Sequence, residues 1–355
     1  MNVKEEALRM LEEKRRESLA GKGPVSISGE SIAKNLGVSR VAVWKAIAAL
    51  RKEGYRVNAA SRRGYSLADS GDILTEEGVR AYLSPDSHIR CVVCLDTVDS
   101  TNTYAKKLAV AQEAGDGTLV IANRQTAGRG RRGHSFVSPP GTGLYMTLIL
   151  RPTVELGRFQ MITIAAAVAV CLALEELTPA RPLVKWVNDV FLRGEDGSER
   201  KVCGILSEAV TGVESGEVES VVVGIGVNLT TREFGEGLEE TAGSVFHEGD
   251  DSGTRNAVTR AQLAARIAER LMGFAERLAR PSPDGAAELI QLYRERSLLL
   301  GREISYLQGE EPRRGQAVDI DERGGLVVEK EGGGRTTLRS GEVHEVRPLG
   351  GKEKL

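Results

Sequence analysis

The chain has 355 residues, which predicts two or three domains, because a single hydrophobic core stops growing at roughly 250–300 residues. Its 48 Lys and Arg nearly balance its 50 Asp and Glu, so the chain as a whole is not a polyanion binder and any basic patch must be local. The N-terminus lacks the apolar core of a signal peptide, and the most apolar run, residues 161–177, predicts a buried helix rather than a membrane span. We therefore expect a cytoplasmic protein with no membrane partner.

The four cysteines predict neither a disulfide framework nor a metal site. Cys91 and Cys94 form a CxxC pattern, but they lie on a predicted strand, where residues three apart point to opposite faces. Cys171 and Cys203 are typical of small core residues. Because the four histidines are also scattered without ligand spacing, the sequence predicts no metal site.

Residues 1–70 are predicted to form an N-terminal winged helix-turn-helix domain. After a leading helix and a Gly/Pro break, Ser28 or Ser31 can cap a short helix. Gly37 can end that helix in the left-handed conformation, and Ser39 can cap a second helix. Two short helices joined by a Gly-containing turn are typical of the helix-turn-helix.

Basic and polar residues of this domain predict contacts with operator DNA. Residues 55–67 indicate two short strands around a basic turn, which would form the wing. Over the domain, Lys and Arg exceed Asp and Glu by about six, an excess that suits a phosphate backbone. The predicted DNA contacts are Ser39, Arg40, Trp44, Lys45, Arg62 and Arg63. The alternative is a helical protein–protein module, since many winged helices bind no DNA.

The rest of the chain predicts two further domains. Residues 71–297 alternate strand-like and helical segments, which indicates a mixed α/β domain; its segment PLVKWVNDVFL (182–192) is predicted as strand. Residues 298–355 contain short strands separated by glycine turns, which is typical of a small β-barrel. The predicted fold class is therefore multidomain α+β.

The stretch RQTAGRGRRGHSF (124–136) sets three arginines among three glycines. Glycines let the backbone approach a ligand closely, and guanidinium groups suit phosphate and carboxylate. A loop that closes over such anions is one interpretation; an exposed basic turn or a nucleic-acid-binding patch explains the stretch equally well. It is not a Walker loop, because it has no GKS or GKT and its glycine pattern does not open a helix.

Five motifs occur together along the chain: DSTNTYA (99–105), RQTAGRGRRGHSFVSPPGTGLYMTLIL (124–150), KWVNDVFL (185–192), KVCGILSEA (201–209) and VVVGIGVNL (221–229). With them the chain resembles, over essentially its whole length, the bifunctional biotin–protein ligases that are also biotin operon repressors. The resemblance implies formation of biotinyl-5′-AMP from biotin and ATP with Mg²⁺, and transfer of biotin to a lysine of a biotin carboxyl carrier protein. It also implies a homodimeric repressor on operator DNA, a class II synthetase-like core and an SH3-like C-terminal barrel.

The resemblance implies a set of site residues. The implied biotin-binding residues are Ser100, Thr101, Asn102, Gln125, Arg129, Gly130, Arg131, Lys185 and Gly204. The implied ATP-binding residues are Arg131, Trp186, Asn188 and Asn228, and Asp189 is either a nucleotide or Mg²⁺ contact or part of a turn. Lys185, Arg129 and Arg131 are the implied catalytic residues, because fixed cations reduce the repulsion between the reacting carboxylate and the α-phosphate. Lys185 is a candidate on its own, since a lysine on an apolar strand is rarely buried without a partner.

The chain departs from the family pattern at two positions. Val187 stands where proline is common, so we expect the strand to continue further before it turns. Phe136 stands where tryptophan is common, which would weaken stacking on a nucleotide. Three alternatives remain: a lipoate or octanoate ligase, a transcription factor whose core is only a sensor, and an RNA-binding protein. The retained Lys185, Arg129 and Arg131 argue against a pure sensor.

Overall fold

A computed structural model describes most of the chain. The described residues are 2–18, 25–60, 64–68, 72–151, 159–211, 218–235, 237–238, 241–247, 258–280, 283–308, 311–339, 341 and 343–345. In chain order they form a mostly helical N-terminal part, a mixed α/β part and an all-β C-terminal part.

The N-terminal elements form a winged helix-turn-helix. They are α1 (Val3–Glu17), α2 (Gly29–Leu36), α3 (Arg40–Lys52), β1 (Val57–Ala60) and β2 (Gly64–Leu67). β1 and β2 pair antiparallel, as a wing requires. The predicted DNA contacts Arg62 and Arg63 lie between these strands and outside the described residues.

Local capping explains where α2 and α3 begin. The Ser28 hydroxyl accepts a hydrogen bond from the Ser31 amide at 2.9 Å, so of the two predicted candidates Ser28 is the cap. The Ser39 hydroxyl accepts a hydrogen bond from the Ala42 amide at 3.2 Å. Gly37 ends α2 with a φ of 65°, the left-handed conformation predicted for it.

A mixed central sheet carries the middle of the chain. Its strands are β3 (Cys91–Val98), β4 (Thr118–Gln125), β5 (Gly143–Leu150), β6 (Leu183–Lys185), β7 (Asp189–Arg193), β8 (Glu199–Thr211) and β9 (Val218–Asn228). They lie in the spatial order β3-β4-β5-β9-β8-β7-β6. β3 and β4 are parallel, and the other neighbouring pairs are antiparallel. On β3, Cys91 is exposed and Cys94 is partly buried, and both are free thiols.

Helices cover both faces of the central sheet. They are α4 (Glu76–Arg80), α5 (Thr101–Val110), α6 (Phe159–Leu177), α7 (Arg260–Ala279) and α8 (Pro283–Glu295). α5 packs its alanines on one face, whereas α6, α7 and α8 pack together on the other. Because both faces are covered, every residue of β5 is buried. By length and composition α6 could cross a membrane, but 72% of its most apolar stretch is buried inside the protein, so it is the core helix that the sequence predicts.

The segment predicted as strand over residues 182–192 is a hairpin of two strands. β6 ends at Lys185, the turn occupies residues 186–188, and β7 returns antiparallel to it. The expectation that Val187 lets the strand continue past the usual turning point is therefore wrong. The Trp186–Val187 peptide bond is cis. The hairpin sets Lys185 opposite Asp189 at the edge of the sheet.

The C-terminal part is an antiparallel sheet. Its strands are β10 (Glu303–Gln308), β11 (Glu311–Ile320), β12 (Leu326–Lys330), β13 (Arg335–Leu338) and β14 (Val343–Glu345). Their order is β13-β12-β11-β10-β14, and within the described residues the edge strands β13 and β14 do not pair with each other. A small all-β unit is confirmed, but closure into an SH3-like barrel is not.

Two buried side chains, Arg260 and Trp186, make polar contacts that fix the middle part of the chain. Arg260, at the start of α7, is only 4% exposed and pairs with Asp72 at 2.7 Å. The same guanidinium donates to the Asn123 side-chain oxygen on β4 at 2.7 Å. At the other end, the Trp186 indole N–H donates to the Gly324 carbonyl at 2.9 Å. This contact between Trp186 and Gly324 ties the β6–β7 turn to the C-terminal sheet.

Candidate functional site

A cavity of approximately 510 Å³ opens above the middle of β8 and β9. Its wall includes the start of α5, the glycine–arginine loop (residues 128–136), the β6–β7 turn and the segment around Phe234 and Leu238. The residues implied for biotin and ATP all line it: Ser100, Thr101, Asn102, Gln125, Arg129, Gly130, Arg131, Lys185, Trp186, Asn188, Gly204 and Asn228. Segments more than a hundred residues apart in sequence thus meet at one place.

The start of α5 forms a buried polar network with β4 and β5. The Gln125 side-chain oxygen accepts from the Thr101 amide at 2.9 Å and from the Thr101 hydroxyl at 3.1 Å. The Thr147 hydroxyl lies 2.8 Å from the Thr101 hydroxyl and 2.7 Å from the Asn102 side-chain oxygen. Ser100 occupies the N-cap position without a side-chain cap bond, although it is only 3% exposed. Its hydroxyl is therefore available to a polar group in the cavity.

Glu208 on β8 organises this network, although the sequence motifs did not single it out. Its carboxylate accepts from the Asn102 side-chain amide at 2.9 Å and from the Lys106 ammonium at 2.5 Å. The second N–H of Asn102 donates to the Leu206 carbonyl at 3.0 Å, so the orientation of the amide is fixed. Burial raises the pKa of the Glu208 carboxyl, but the hydrogen bonds from Lys106 and Asn102 and the charge of Arg129 outweigh it and lower the pKa below its usual value. A charged residue inside the apolar run GILSEAV was the available signal.

The glycine–arginine loop folds back on itself at the mouth of the cavity. The backbones of Arg129 and Ser135 form an isolated antiparallel β-bridge, and a single 3₁₀ turn over Arg131–Gly133 closes the loop. The Arg131 guanidinium donates to the Asn188 side-chain oxygen at 2.8 Å, whereas Arg129 lies 3.7 Å from the Glu208 carboxylate. No α-helix begins at this loop, in agreement with the prediction from its glycine pattern. Arg131 is thus held by a side chain of the cavity wall, whereas Arg129 lies near the carboxylate of Glu208, which does not line the cavity.

Gly128 allows this loop to fold. A Cβ atom placed on it would lie 2.3 Å from the Phe136 carbonyl oxygen, well inside contact distance. The close approach brings the two ends of the loop together, and the Phe136 amide donates to the Gly128 carbonyl at 2.9 Å. The glycine is therefore required by space rather than by a positive φ.

The strands around the β6–β7 turn supply two cations and one carboxylate. Lys185 has no hydrogen bond or ion pair within the described residues, and its ammonium lies 6.0 Å from the centre of the Phe191 ring. Lys201 pairs with the Asp189 carboxylate at 2.8 Å. Asn188 donates to Asp189 at 2.9 Å and to the Ile205 carbonyl at 3.0 Å. Of these two lysines, Lys185 is therefore the one available to bind an anion.

Glycines on β8 and β9 make room for the side chains above the sheet. Gly204 and Gly226 are cross-strand partners, and the Phe136 ring lies over both of them. A Cβ on Gly226 would lie 2.6 Å from that ring, and one on Gly204 would lie 3.4 Å from it. On Gly224 a Cβ would lie 2.1 Å from the Asn102 side-chain oxygen. The space over Gly204, predicted for biotin, is thus bordered by Phe136.

Trp186 and Asn228 differ in what they offer a nucleotide. Trp186 is only 4% exposed, and its indole N–H is used by Gly324. Asn228 is 5% exposed; its amide donates to the Gly243 carbonyl at 3.2 Å, while its side-chain oxygen is buried and has no hydrogen-bond partner among the described residues. A buried acceptor without a partner is costly unless a ligand satisfies it.

The predicted DNA contacts on α3 lie on the surface. Ser39, Arg40, Trp44 and Lys45 are all exposed, and the side chain of Ser39 is used as the helix cap. The opposite face of α3 is buried against α1 and α2. The structure therefore leaves one face of α3 open, from its first residue onward.

Three family descriptions match successive parts of the chain. The biotin/lipoate A/B protein ligase family matches residues 94–228. A helix-turn-helix domain matches residues 17–66, and the C-terminal domain of biotin protein ligases matches residues 299–344.

Several known proteins are similar to most of the chain. The bifunctional ligase/repressor BirA of Bacillus spizizenii is 34% identical over 313 residues, which cover 88% of this chain and 91% of the relative. The protein of the same name from Escherichia coli is 30% identical over 323 residues, which cover 89% of this chain and 94% of the relative. The solved structure of biotin protein ligase from Aquifex aeolicus in complex with biotin and ATP is 29% identical, with a TM-score of 0.56, and covers 73% of this chain and 99% of that chain.

Proposed function

Because this chain belongs to the family of bifunctional biotin–protein ligases and repressors, we propose that the cavity above β8 and β9 is where its biotin and ATP react. The chain is an ATP-dependent ligase that forms biotinyl-5′-AMP and transfers biotin to a lysine of a biotin carboxyl carrier protein. It is also a biotin-responsive repressor with an operator-binding domain. The observation that carries the placement is the meeting of separate motifs on one cavity.

Biotin would lie with its ureido ring at the start of α5. The ring has two N–H donors and a carbonyl, which need partners once they are buried. The Ser100 hydroxyl has no cap bond to give up, and Thr101 and Asn102 are held beside it by Gln125 and Glu208. These hydrogen bonds hold this part of the wall in place without a ligand, which would reduce the entropy lost on binding.

The carboxylate end of biotin would point toward the cations. Among the described residues that line the cavity, five are Lys or Arg and one is a carboxylate, so the field favours anions. In the first step a biotin carboxylate oxygen attacks the α-phosphorus and pyrophosphate leaves. Lys185, Arg129 and Arg131 would hold the two anions together and neutralise the charge that develops. In the second step a carrier lysine amine attacks the acyl carbon and AMP leaves, so no protein nucleophile is needed.

The nucleotide would occupy the side of the cavity formed by Asn188, Asn228 and Trp186. The side-chain oxygen of Asn228, which has no partner in the described part of the chain, suits a donor group of the base. Mg²⁺ would enter with the phosphates, since this ion is bound through phosphates and one or two carboxylates. Asp189 is the carboxylate in position, and its second oxygen has no partner within the described residues. The residues present therefore fit the ion.

Pyrophosphate release tests this placement. Full-length protein is mixed with MgATP and either biotin or lipoate, and the variants Arg131→Ala and Lys185→Met are assayed in the same way. The control variant is Arg124→Ala, whose exposed side chain lies near the end of β4 and does not line the cavity. We expect release with biotin only, a loss of about 10²–10³-fold in Arg131→Ala and Lys185→Met, and little change in Arg124→Ala. Release with lipoate, or full activity in both site variants, would contradict the placement.

The repressor is proposed to be a homodimer on a palindromic operator, with Ser39, Arg40, Trp44, Lys45, Arg62 and Arg63 as its DNA contacts. We further propose the domain limits 1–70, 71–297 and 298–355, a class II synthetase-like core and closure of the C-terminal sheet into an SH3-like barrel. The open face of α3 supports the DNA assignment, since a recognition helix contacts base edges with its N-terminal residues.

A further inference from the structure

The open face of α3 is apolar at its centre. Val41 is 62% exposed and Trp44 is 61% exposed, and within the described residues the only other large hydrophobic side chain as exposed as these is that of Val110. They stand three residues apart, so they lie on one face of the helix, about 4.5 Å apart along its axis. Val43 and Ile47, on the other side, are buried. We call the surface of Val41 and Trp44 the α3 ridge.

The charges around the α3 ridge indicate a polyanionic partner. α3 has four cationic residues and no acidic residue over Arg40–Lys52. Arg40 and Lys45 flank the ridge and are exposed. A protein that covered the ridge would have to place acidic groups opposite the flanking cations, or leave these cations unpaired. The two phosphate backbones that border a DNA groove supply the complementary charge on both sides of the ridge. The occupant that fits the ridge is therefore DNA.

We infer that the α3 ridge recognises thymine methyl groups in the major groove, and that this contact determines part of the operator specificity. Val41 has no hydrogen-bonding group, so it cannot read donors or acceptors on base edges. The large apolar group that a base pair presents in the major groove is the thymine C5-methyl. The spacing of the ridge, about 4.5 Å, compares with about 3.4 Å per base pair, so Val41 and Trp44 reach methyl groups on neighbouring base pairs.

This inference rests on the proposed position of α3 in the major groove, and the test separates the two. Duplexes are first selected from a random pool with full-length protein, biotin and MgATP. Each thymine of the selected duplex is then replaced by uracil, which removes only the methyl group. We expect two or more clustered positions at which the replacement weakens binding by about fourfold, the value of one buried methyl group.

Variants then assign the methyl contacts. Val41→Ala and Trp44→Ala bind the thymine duplex more weakly but no longer distinguish it from the uracil duplex at the position that each contacts. The matched control is Val110→Ala, a helical valine that is also 62% exposed but lies on α5, and it keeps the full thymine preference. Val41→Thr, which keeps the shape of valine, serves if the alanine variant does not fold. Thermal melting checks folding of each variant.

Each outcome decides one of the two proposals. If the protein selects no duplex, the operator-binding function fails and the inference fails with it. If it selects a duplex but uracil replacement has no effect, or if Val41→Ala and Trp44→Ala retain the thymine preference, the groove position stands and the inference is wrong. If the ridge variants alter only the oligomeric state and leave DNA affinity unchanged, the ridge is a contact between proteins and the inference is also wrong.

Discussion

Replacement of Gly224 by alanine tests how the biotin end of the cavity is built. Gly224 lies on β9 between its cross-strand partners Thr147 and Leu206. These two residues also bond the side chain of Asn102, which lies directly over the glycine. The added Cβ would stand 2.1 Å from the Asn102 side-chain oxygen. The backbone of Gly224 has no positive φ, so the effect is steric, and the atoms nearest to the added Cβ belong to Asn102.

The magnitude follows from the bonds that Asn102 must give up. Its amide bonds Leu206, Glu208 and Thr147, at distances of 3.0, 2.9 and 2.7 Å. Each is worth about 1 kcal/mol net, so the free energy of unfolding should fall by about 2–3 kcal/mol. Because Asn102 is a proposed biotin contact, biotin affinity should also fall by about tenfold or more, since about 1.4 kcal/mol corresponds to a factor of ten.

Urea denaturation and calorimetric titration with biotin measure the two effects. The control is Gly273→Ala on α7, where a Cβ would meet nothing within 4 Å. That variant should gain about 0.5–1 kcal/mol of stability, because alanine loses less backbone entropy in a helix, and biotin affinity should not change. If Gly224→Ala keeps both its stability and its biotin affinity, the proposed fixed position of Asn102 is wrong.

Two further predictions concern buried charges. The pKa of Glu208 is below its usual value of 4.5, so its contribution to stability is complete above about pH 4.5 and is lost as the pH falls through the lower folded value. Unfolding free energies should therefore fall faster with acid in the wild type than in Glu208→Gln, and parallel curves would refute the assignment. Asp72→Ala leaves Arg260 buried without its carboxylate and should cost about 2–3 kcal/mol, whereas Glu288→Ala, which breaks an exposed pair with Arg277, should cost less than about 1 kcal/mol. Equal losses in urea denaturation would contradict this.

The sequence determines features that depend on near neighbours. Ser28 and Ser39 cap the helices that follow them, and Gly37 ends α2, because capping involves only residues within one helical turn. The resemblance carried by the motifs implied a set of ligand contacts, and the fold brings these residues to one cavity.

Tertiary structure decided the contacts between distant segments. Glu208 meets Asn102 across 106 residues, and Trp186 meets Gly324 across 138 residues, so no local pattern could assign these partners. The turn after Lys185 was wrongly expected to come later, because the preference of a single residue is weaker than the pairing of β6 with β7. Strand order and whether the C-terminal sheet closes depend on pairing between elements, whose free energy is set by packing rather than by the sequence of any one strand.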